Sequence, residues 1–193
     1  AGDAPPKHAW ILGAGLLHDV PLDALLALFE RIDLVDVAFS PTARAAARAH
    51  PNRVACVTLD VTGVLDDLKR DPALAAPEPP PGTWVASVNI LSQLPLLPCM
   101  ALLAAGMPDA EVERYGQALQ QAHVALLGRA RHACLIIEYA QTQAAGPDEA
   151  LLPALPEQLT RLGWSRHAAW HWPLNPAGET PVPEGRSMQA WMR

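Results

Sequence analysis

An apolar run that enters a Gly-x-Gly turn is the feature that most constrains the fold of this chain. Residues 9–15 read AWILGAG, and a second apolar run, IDLVDVAF at 32–39, contains Asp36. Glycine lets the backbone turn sharply and lets a ligand approach where a Cβ would clash. The Asp36 carboxylate, about 20 residues after the turn, can accept hydrogen bonds from both hydroxyls of a ribose. The combination is typical of a doubly wound α/β fold that holds an adenosine-containing cofactor.

Each of these residues also has a purely structural interpretation. Gly13 and Gly15 fit a tight strand-to-helix turn that contacts no ligand. Asp36 fits a solvated carboxylate that caps the following turn.

Composition narrows the class of protein. The chain has 193 residues, a net charge of −6 and a mean hydropathy of +0.09. It has no apolar run of the ~20 residues needed to span a membrane, and no basic run that would indicate nucleic-acid binding. Cys56, Cys99 and Cys134 are odd in number and lie in apolar contexts, which indicates a reducing compartment. We therefore expect a cytoplasmic protein that binds neither nucleic acid nor membrane and has no metal site.

Apolar periodicity predicts alternating strands and helices along the chain. The predicted strands are 8–13, 32–38, 53–59, 83–91, 133–139, 164–172 and 188–192. The predicted helices are 21–29, 41–50, 63–70, 108–130 and 156–162. The Pro-rich segment 71–82 is predicted to be a surface connection.

This order predicts an α/β fold with a doubly wound, mostly parallel sheet of about seven strands. Helices should cover both faces, and the two late strands should form a C-terminal antiparallel hairpin at one edge. We expect a single domain over residues 1–193. The start without methionine fits the loss of an N-terminal segment.

Four segments, in this order, resemble class I S-adenosylmethionine-dependent methyltransferases. They are ILGAG at 11–15, DLVDV at 33–37, TLDVTG at 58–63 and SVNILSQLP at 87–95. They resemble, in turn, the family's glycine-rich loop, ribose-binding acid, adenine-side acid and the segment after strand four. The resemblance implies S-adenosylmethionine as cofactor and methyl transfer to a small-molecule or unidentified acceptor. It implies the cofactor-binding residues Gly13, Ala14, Gly15, Asp36, Val37, Asp60, Val61 and Asn89.

The chain departs from the family pattern at three places. Ile11 stands where an acid usually precedes the first glycine by two residues, and Leu16 and Leu17 follow where a third glycine is common. Few residues precede the first strand. The first and third departures should weaken binding of the cofactor's cationic amino-acid tail more than binding of its adenosine.

Asp60 and Asn89 end the third and fourth predicted strands. Asp60 can accept a hydrogen bond from the adenine amino group, or can be the N-cap of a helix after Val61. The Asn89 amide can orient a substrate or the cofactor's amino group, or can simply hydrogen-bond at a strand end.

Other polar residues carry two interpretations each. His18 and Asp19 are either a general-base pair or a surface loop. Glu138 and Tyr139 either line a pocket rim or cap a strand. Cys99 is expected to be a small buried hydrophobic residue.

Aromatic and histidine residues alternate along the sixth predicted strand. Alternation predicts one core face and one solvent face, or else a substrate-binding aromatic wall. The residues concerned are Trp164, His167, Trp170, His171 and Trp172.

Two further functions stay open at this point. A nicotinamide-dependent oxidoreductase also needs the Gly-rich turn and Asp36, but expects a third glycine where this chain has His18, and no adenine-side acid at Asp60. A non-catalytic scaffold with the same fold is favoured by Ile11 and by the short N-terminal segment.

Overall fold

The apolar runs form a mixed sheet in the computed structural model, which describes residues 4–141, 149–173 and 185–193. Its strands are β1 (His8–Leu12), β2 (Arg31–Asp36), β3 (Val54–Thr58), β4 (Trp84–Val88), β5 (His132–Gln141), β6 (Glu149–Ala150), β7 (Ser165–Pro173) and β8 (Gly185–Met192). Their order across the sheet is β3-β2-β1-β4-β5-β8-β7, and the short β6 pairs with β5.

The first five strands are parallel, whereas β8 pairs antiparallel with β5 and β7 pairs antiparallel with β8. This confirms the predicted sheet, with β1 inside it and the C-terminal hairpin at one edge. Strand order reverses between β1 and β4, and ligands of open α/β sheets bind at the carboxyl ends of strands at such a switch point.

Helices cover both faces of the sheet. They are α1 (Leu22–Leu28), α2 (Pro41–Ala49), α3 (Pro72–Ala75), α4 (Leu96–Ala104), α5 (Asp109–Arg129) and α6 (Leu155–Arg161). Alternate residues of β1 belong to different apolar clusters, because successive strand side chains point to opposite faces. Trp10 packs in the cluster that includes α5 and α6, and Ile11 in the one that includes α1 and α2.

A serine cap and a proline fix where α2 begins, and buried apolar residues fix the face of α5 that packs on the sheet. The Ala43 amide donates to Ser40 Oγ at 3.1 Å, and Pro41 is the first helical residue, as predicted. In α5, apolar residues that include Val112 and Leu119 are buried.

The predicted helix over 63–70 is wrong, since these residues form turns. Gly63 has a φ of +68°, which ends any helical path, and Arg70 bonds to Asp66 and to the Gly63 carbonyl. The helical turn comes later, within the segment predicted to be a surface connection. There Asp71 caps α3, and Pro72 is buried.

Two further elements differ from expectation. Helix α4 has no predicted counterpart, because it is apolar on all sides and so lacks a helical hydrophobic period. Strand β7 does not have one buried face: residues 165–171 are exposed on both faces. Trp164, just before it, is the buried aromatic residue there.

Candidate functional site

Two neighbouring pockets open at the carboxyl ends of β1, β2 and β4. One has a volume of about 360 Å³ and the other of about 580 Å³. Gly13, Asp36, Ile90 and Gln93 line both, so the pockets form one elongated site at the switch point of the sheet. The structure thus brings Gly13 and Asp36 together at this edge of the sheet.

The glycine turn is held against the protein's own backbone. Gly13 has a φ of +83°, and a Cβ there would overlap the Ile90 side chain and the Val88 carbonyl. A Cβ on Gly15 would lie 2.7 Å from Asp36 Oδ2. Both glycines are thus required by internal packing, as in the structural interpretation, while the turn still lines the site.

Asp36 links the glycine turn to the end of β2. Its Oδ2 accepts from the Gly15 amide at 2.9 Å, and its Oδ1 accepts from the Val37 amide at 2.7 Å and from Ala38 at 3.4 Å. A carboxylate offers about four acceptor positions. Asp36 is half-buried, and it retains capacity for a ligand hydroxyl at the junction of the two pockets.

Asp60 caps the turn that follows β3. Its Oδ1 accepts from the Thr62 amide at 2.8 Å and from the Thr62 hydroxyl at 2.6 Å, and its Oδ2 accepts from the Leu65 amide at 2.8 Å. The capping alternative is therefore seen, at a turn rather than at a helix. Asp60 and Val61 nevertheless line the smaller pocket.

The smaller pocket is otherwise mostly apolar. Its apolar lining consists of Val37, Leu59, Val61, Leu65, Ile90, Leu94, Leu96, Leu97, Pro98 and Met100. Residues 96–100 belong to α4, so sequence reasoning missed this wall when it missed the helix. The wall suits a flat, apolar ring system.

Asn89 is a buried polar residue in the lining of the larger pocket. It is 6% exposed and has a φ of +59°, a conformation that asparagine tolerates better than most residues. Its Nδ2 donates to Asp19 Oδ2 at 3.3 Å, but its buried Oδ1 has no hydrogen-bond partner among the described residues. A buried acceptor without a partner costs about 1–3 kcal/mol. Strained residues with unmet polar atoms are typical of ligand sites.

Of the two interpretations of His18 and Asp19, the described structure shows the surface loop, and the two side chains form no pair with each other. Both residues are exposed on the loop after the glycine turn, and both line the larger pocket. Asp19 instead faces Asn89, 70 residues away in sequence. This contact could not be read from the sequence, because it depends on the path of residues 16–20.

Glu138 lies at the rim of the larger pocket, as one interpretation predicts, and Trp172 lies beside it. Glu138 Oε2 is 3.8 Å from Arg186 Nε, so its charge is partly balanced.

Cys99 is partly buried, and its thiol donates to the Val112 carbonyl at 3.6 Å. Burial raises the pKa of the Cys99 thiol, which disfavours the reactive thiolate.

Ile11 lies away from both pockets. Its side chain is 1% exposed and packs in the apolar cluster with α1 and α2. An acid at this position in this structure would be buried without a partner. Any anchor for a cationic group must therefore come from elsewhere in the site.

Within the described ranges, no group of three or more His, Cys, Asp or Glu residues is placed to hold a metal ion. His167 and His171 are four residues apart but lie on the exposed strand β7. No helix among the described residues is long and apolar enough to cross a membrane.

Comparison with known proteins gives structural likeness only. No protein-family model and no curated protein matches the chain. The chain is similar to the Burkholderia thailandensis 1,6-didemethyltoxoflavin-N1-methyltransferase with bound 1,6-didemethyltoxoflavin and S-adenosylhomocysteine, at 14% identity and a TM-score of 0.47, covering 96% of this chain and 71% of that one.

Two other solved structures show the same level of likeness. The methyltransferase domain of bacterial CtHen1-CN has 15% identity and a TM-score of 0.43, over 97% of this chain and 91% of that one. The glycopeptide N-methyltransferase MtfA, complexed with S-adenosyl-L-methionine, has 12% identity and a TM-score of 0.38, over 95% of this chain and 80% of that one. The sheet itself has five parallel strands in the order 3-2-1-4-5 and an antiparallel C-terminal pair, which is the doubly wound, mostly parallel α/β fold that the sequence predicted.

Proposed function

We propose that this protein binds S-adenosylmethionine in the elongated site and transfers its methyl group to a small-molecule acceptor. The observation that carries the proposal is the division of the site. One half is apolar, the other presents hydrogen-bond acceptors, and Asp36 lies where they meet. S-adenosylmethionine has the same three parts: a flat base, a ribose and a cationic tail.

The apolar half fits the adenine. Leucine side chains of α4 and the turn after β3 offer flat contact area to a ring. Asp60 stands at the edge of this pocket, although three of its acceptor positions already serve the turn. We therefore assign adenine binding mainly to apolar contact.

The free acceptor capacity of Asp36 fits the ribose hydroxyls. Gly15 holds the carboxylate in place through its amide, so little reorganisation is needed when a ligand arrives. This is the role that the sequence predicted for Asp36.

Asn89 Oδ1 fits the ammonium group of the amino-acid tail. It is a buried acceptor without a partner, and an ammonium group is a donor only. In this assignment Asn89 supplies the anchor that Ile11 cannot supply.

When bound, the cofactor supplies a methyl group on a sulfonium, ready for direct displacement. The chain's residues need chiefly to align the acceptor and exclude water. Gly13 lies where the two pockets meet, and Asn89, Glu138 and Trp172 line the larger pocket.

An NAD-dependent oxidoreductase is less well supported. A dinucleotide site places the pyrophosphate on the N-terminus of a helix that opens at the glycine turn. Here residues 16–21 separate Gly15 from α1, and the Gly15 amide already donates to Asp36. The carboxylates of Asp19 and Glu138 would also repel a pyrophosphate.

A non-catalytic scaffold is the second candidate. It is favoured by one observation: the carboxylates of Asp36 and Asp60 both hold local turns, so neither requires a ligand to explain its position.

The Asn89 assignment is tested by Asn89→Gly, because glycine tolerates the positive φ while removing the amide. Loss of a hydrogen bond to a charged group costs about 1.5–3 kcal/mol, so we expect affinity for S-adenosylhomocysteine to fall at least about tenfold. Adenosine lacks the ammonium group, and its affinity should change less than about threefold.

Calorimetric titration with both ligands gives the comparison, and Asn52→Gly, an exposed change far from the site, is the matched control. Equal losses for the two ligands would show that Asn89 does not contact the tail.

A further inference from the structure

A third cavity, of about 210 Å³, adjoins the larger pocket beneath the loop that carries Asp19. Its lining residues are Asp19, Asn89, Ile136, Trp170, Trp172 and Met188. Asp19, Asn89 and Trp172 line the larger pocket as well, so the two cavities are adjacent. None of the contacts assigned above to the base, ribose or tail requires Trp170, Ile136 or Met188.

Two tryptophans form one wall of this cavity. Trp170 and Trp172 are two residues apart on β7 and therefore point to the same face of the strand. Trp170 is 42% exposed and pairs with Met188 on the neighbouring strand, and Ile136 of β5 adds a second apolar side chain to the lining. Indole faces stack on flat rings and attract cations.

Asp19 gives the cavity a negative charge. Its one hydrogen bond among the described residues is the long one from Asn89, and no cation in the described ranges forms an ion pair with it. The charge of Glu138, by contrast, is partly balanced by Arg186. The cavity thus combines an aromatic wall with a carboxylate that no positive charge balances.

We infer that this cavity binds the methyl acceptor and that the acceptor is an arylalkylamine, an aromatic ring that carries an alkylamino group. Its flat ring would lie against Trp170 and Trp172, with its amino group directed to Asp19. A carboxylate or phosphate ligand would be repelled by Asp19, whereas the ammonium group of an amine would be attracted to it. The inference rests on the proposed function, since the cavity is an acceptor site only if S-adenosylmethionine occupies the adjoining one.

The test uses calorimetry on the full chain, with and without saturating S-adenosylhomocysteine. The probe is phenethylamine, and the matched ligands are 3-phenylpropionate, which reverses the charge, and cyclohexylethylamine, which removes the aromatic ring. We expect phenethylamine to bind at least about tenfold tighter than either, a gap of about 1.4 kcal/mol.

Three variants test whether phenethylamine binds in this cavity. Asp19→Asn keeps the side-chain shape and Trp170→Leu removes one indole, and each should weaken phenethylamine binding at least fivefold. His167→Ala, an exposed change on the same strand, should leave the affinity unchanged. Unchanged affinity in Asp19→Asn or Trp170→Leu, or equal affinity for the amine and the acid, would overturn the inference.

The two proposals fail separately. If S-adenosylhomocysteine binds but phenethylamine does not, the acceptor inference is overturned and the proposed function stands. If phenethylamine binds with the expected dependence on Asp19 but S-adenosylhomocysteine does not bind, the amine cavity is supported and the proposed function is overturned.

Discussion

His123 of α5 is 1% exposed, and its ring contacts Ser87 of β4, the strand against which the helix packs. Its Nε2 lies 2.8 Å from Ser87 Oγ, and its Nδ1 has no partner among the described residues. Burial lowers the pKa of His123 from 6.5 to about 4, because the charged imidazolium loses its hydration. The side chain is therefore neutral in the folded protein at pH 7.

This histidine makes folding stability depend on pH. In the unfolded chain its pKa is near 6.5, so between pH 6.5 and 4 the unfolded state binds the extra proton. The stability is fully present above pH 6.5, falls as the pH is lowered toward 4, and changes no further below that. We expect this group to remove about 2 kcal/mol of the free energy of unfolding between pH 7 and pH 5.

Urea unfolding of the wild type and of His123→Gln at both pH values isolates this contribution. Glutamine can keep the hydrogen bond to Ser87 but does not titrate. The wild type should lose about 2 kcal/mol more than the variant between pH 7 and pH 5. Parallel losses in the two proteins would show that His123 is not buried as a neutral ring.

At the residue scale, the sequence predicts site residues that lie at the ends of strands. It does not predict contacts that depend on the conformation of a loop. Asp36 and Gly13 were predictable, because parallel strands bring their carboxyl ends to one edge of the sheet. The Asp19–Asn89 contact and the left-handed backbone of Asn89 were not, because neither has a local sequence signal.

At the scale of elements, the segment from Asp60 to Ala76 shows how side-chain caps can override a helical pattern. Asp60 closes a turn onto Leu65, and Asp71 starts α3 instead. Gly63 lies directly against this short helix: a Cβ there would overlap the Ala75 carbonyl. The contact explains why part of a Pro-rich connection belongs to the packed structure.

Gly63→Ala and Gly106→Ala form a matched pair that tests this packing. Both glycines have positive φ, +68° and +84°, but a Cβ on Gly106 would meet nothing within 4 Å. Gly106→Ala should therefore cost only the backbone strain, about 1–2 kcal/mol. Gly63→Ala should cost at least about 2 kcal/mol more, because overpacking adds to the strain.

Thermal and urea unfolding give both values. Equal destabilisation by the two changes would mean that the turn after β3 does not pack on α3.

Helix α4 is a helix that forms although its sequence lacks the amphipathic pattern by which helices are predicted. Its sequence, LLPCMALLA, has no polar face, and Leu97 and Met100 are more than half exposed at the apolar pocket. A helix that lines a ligand pocket need not show the amphipathic period of a helix that covers a core.

At the scale of the whole molecule, the alternation of strands and helices was enough to predict the sheet. Consecutive parallel strands need crossover helices, and the two late strands, close in sequence, pair antiparallel. The exposure of β7 was not predictable, because alternation along a strand does not say whether anything covers its faces.

The central claim is that the switch point of this sheet holds S-adenosylmethionine rather than a dinucleotide. Calorimetric titration of the full chain with S-adenosylhomocysteine and with NAD, side by side, tests it most directly. We predict saturable, one-to-one binding of S-adenosylhomocysteine and no measurable heat of binding for NAD at the same concentrations. Binding of NAD, or no binding of S-adenosylhomocysteine at millimolar concentration, would contradict the account.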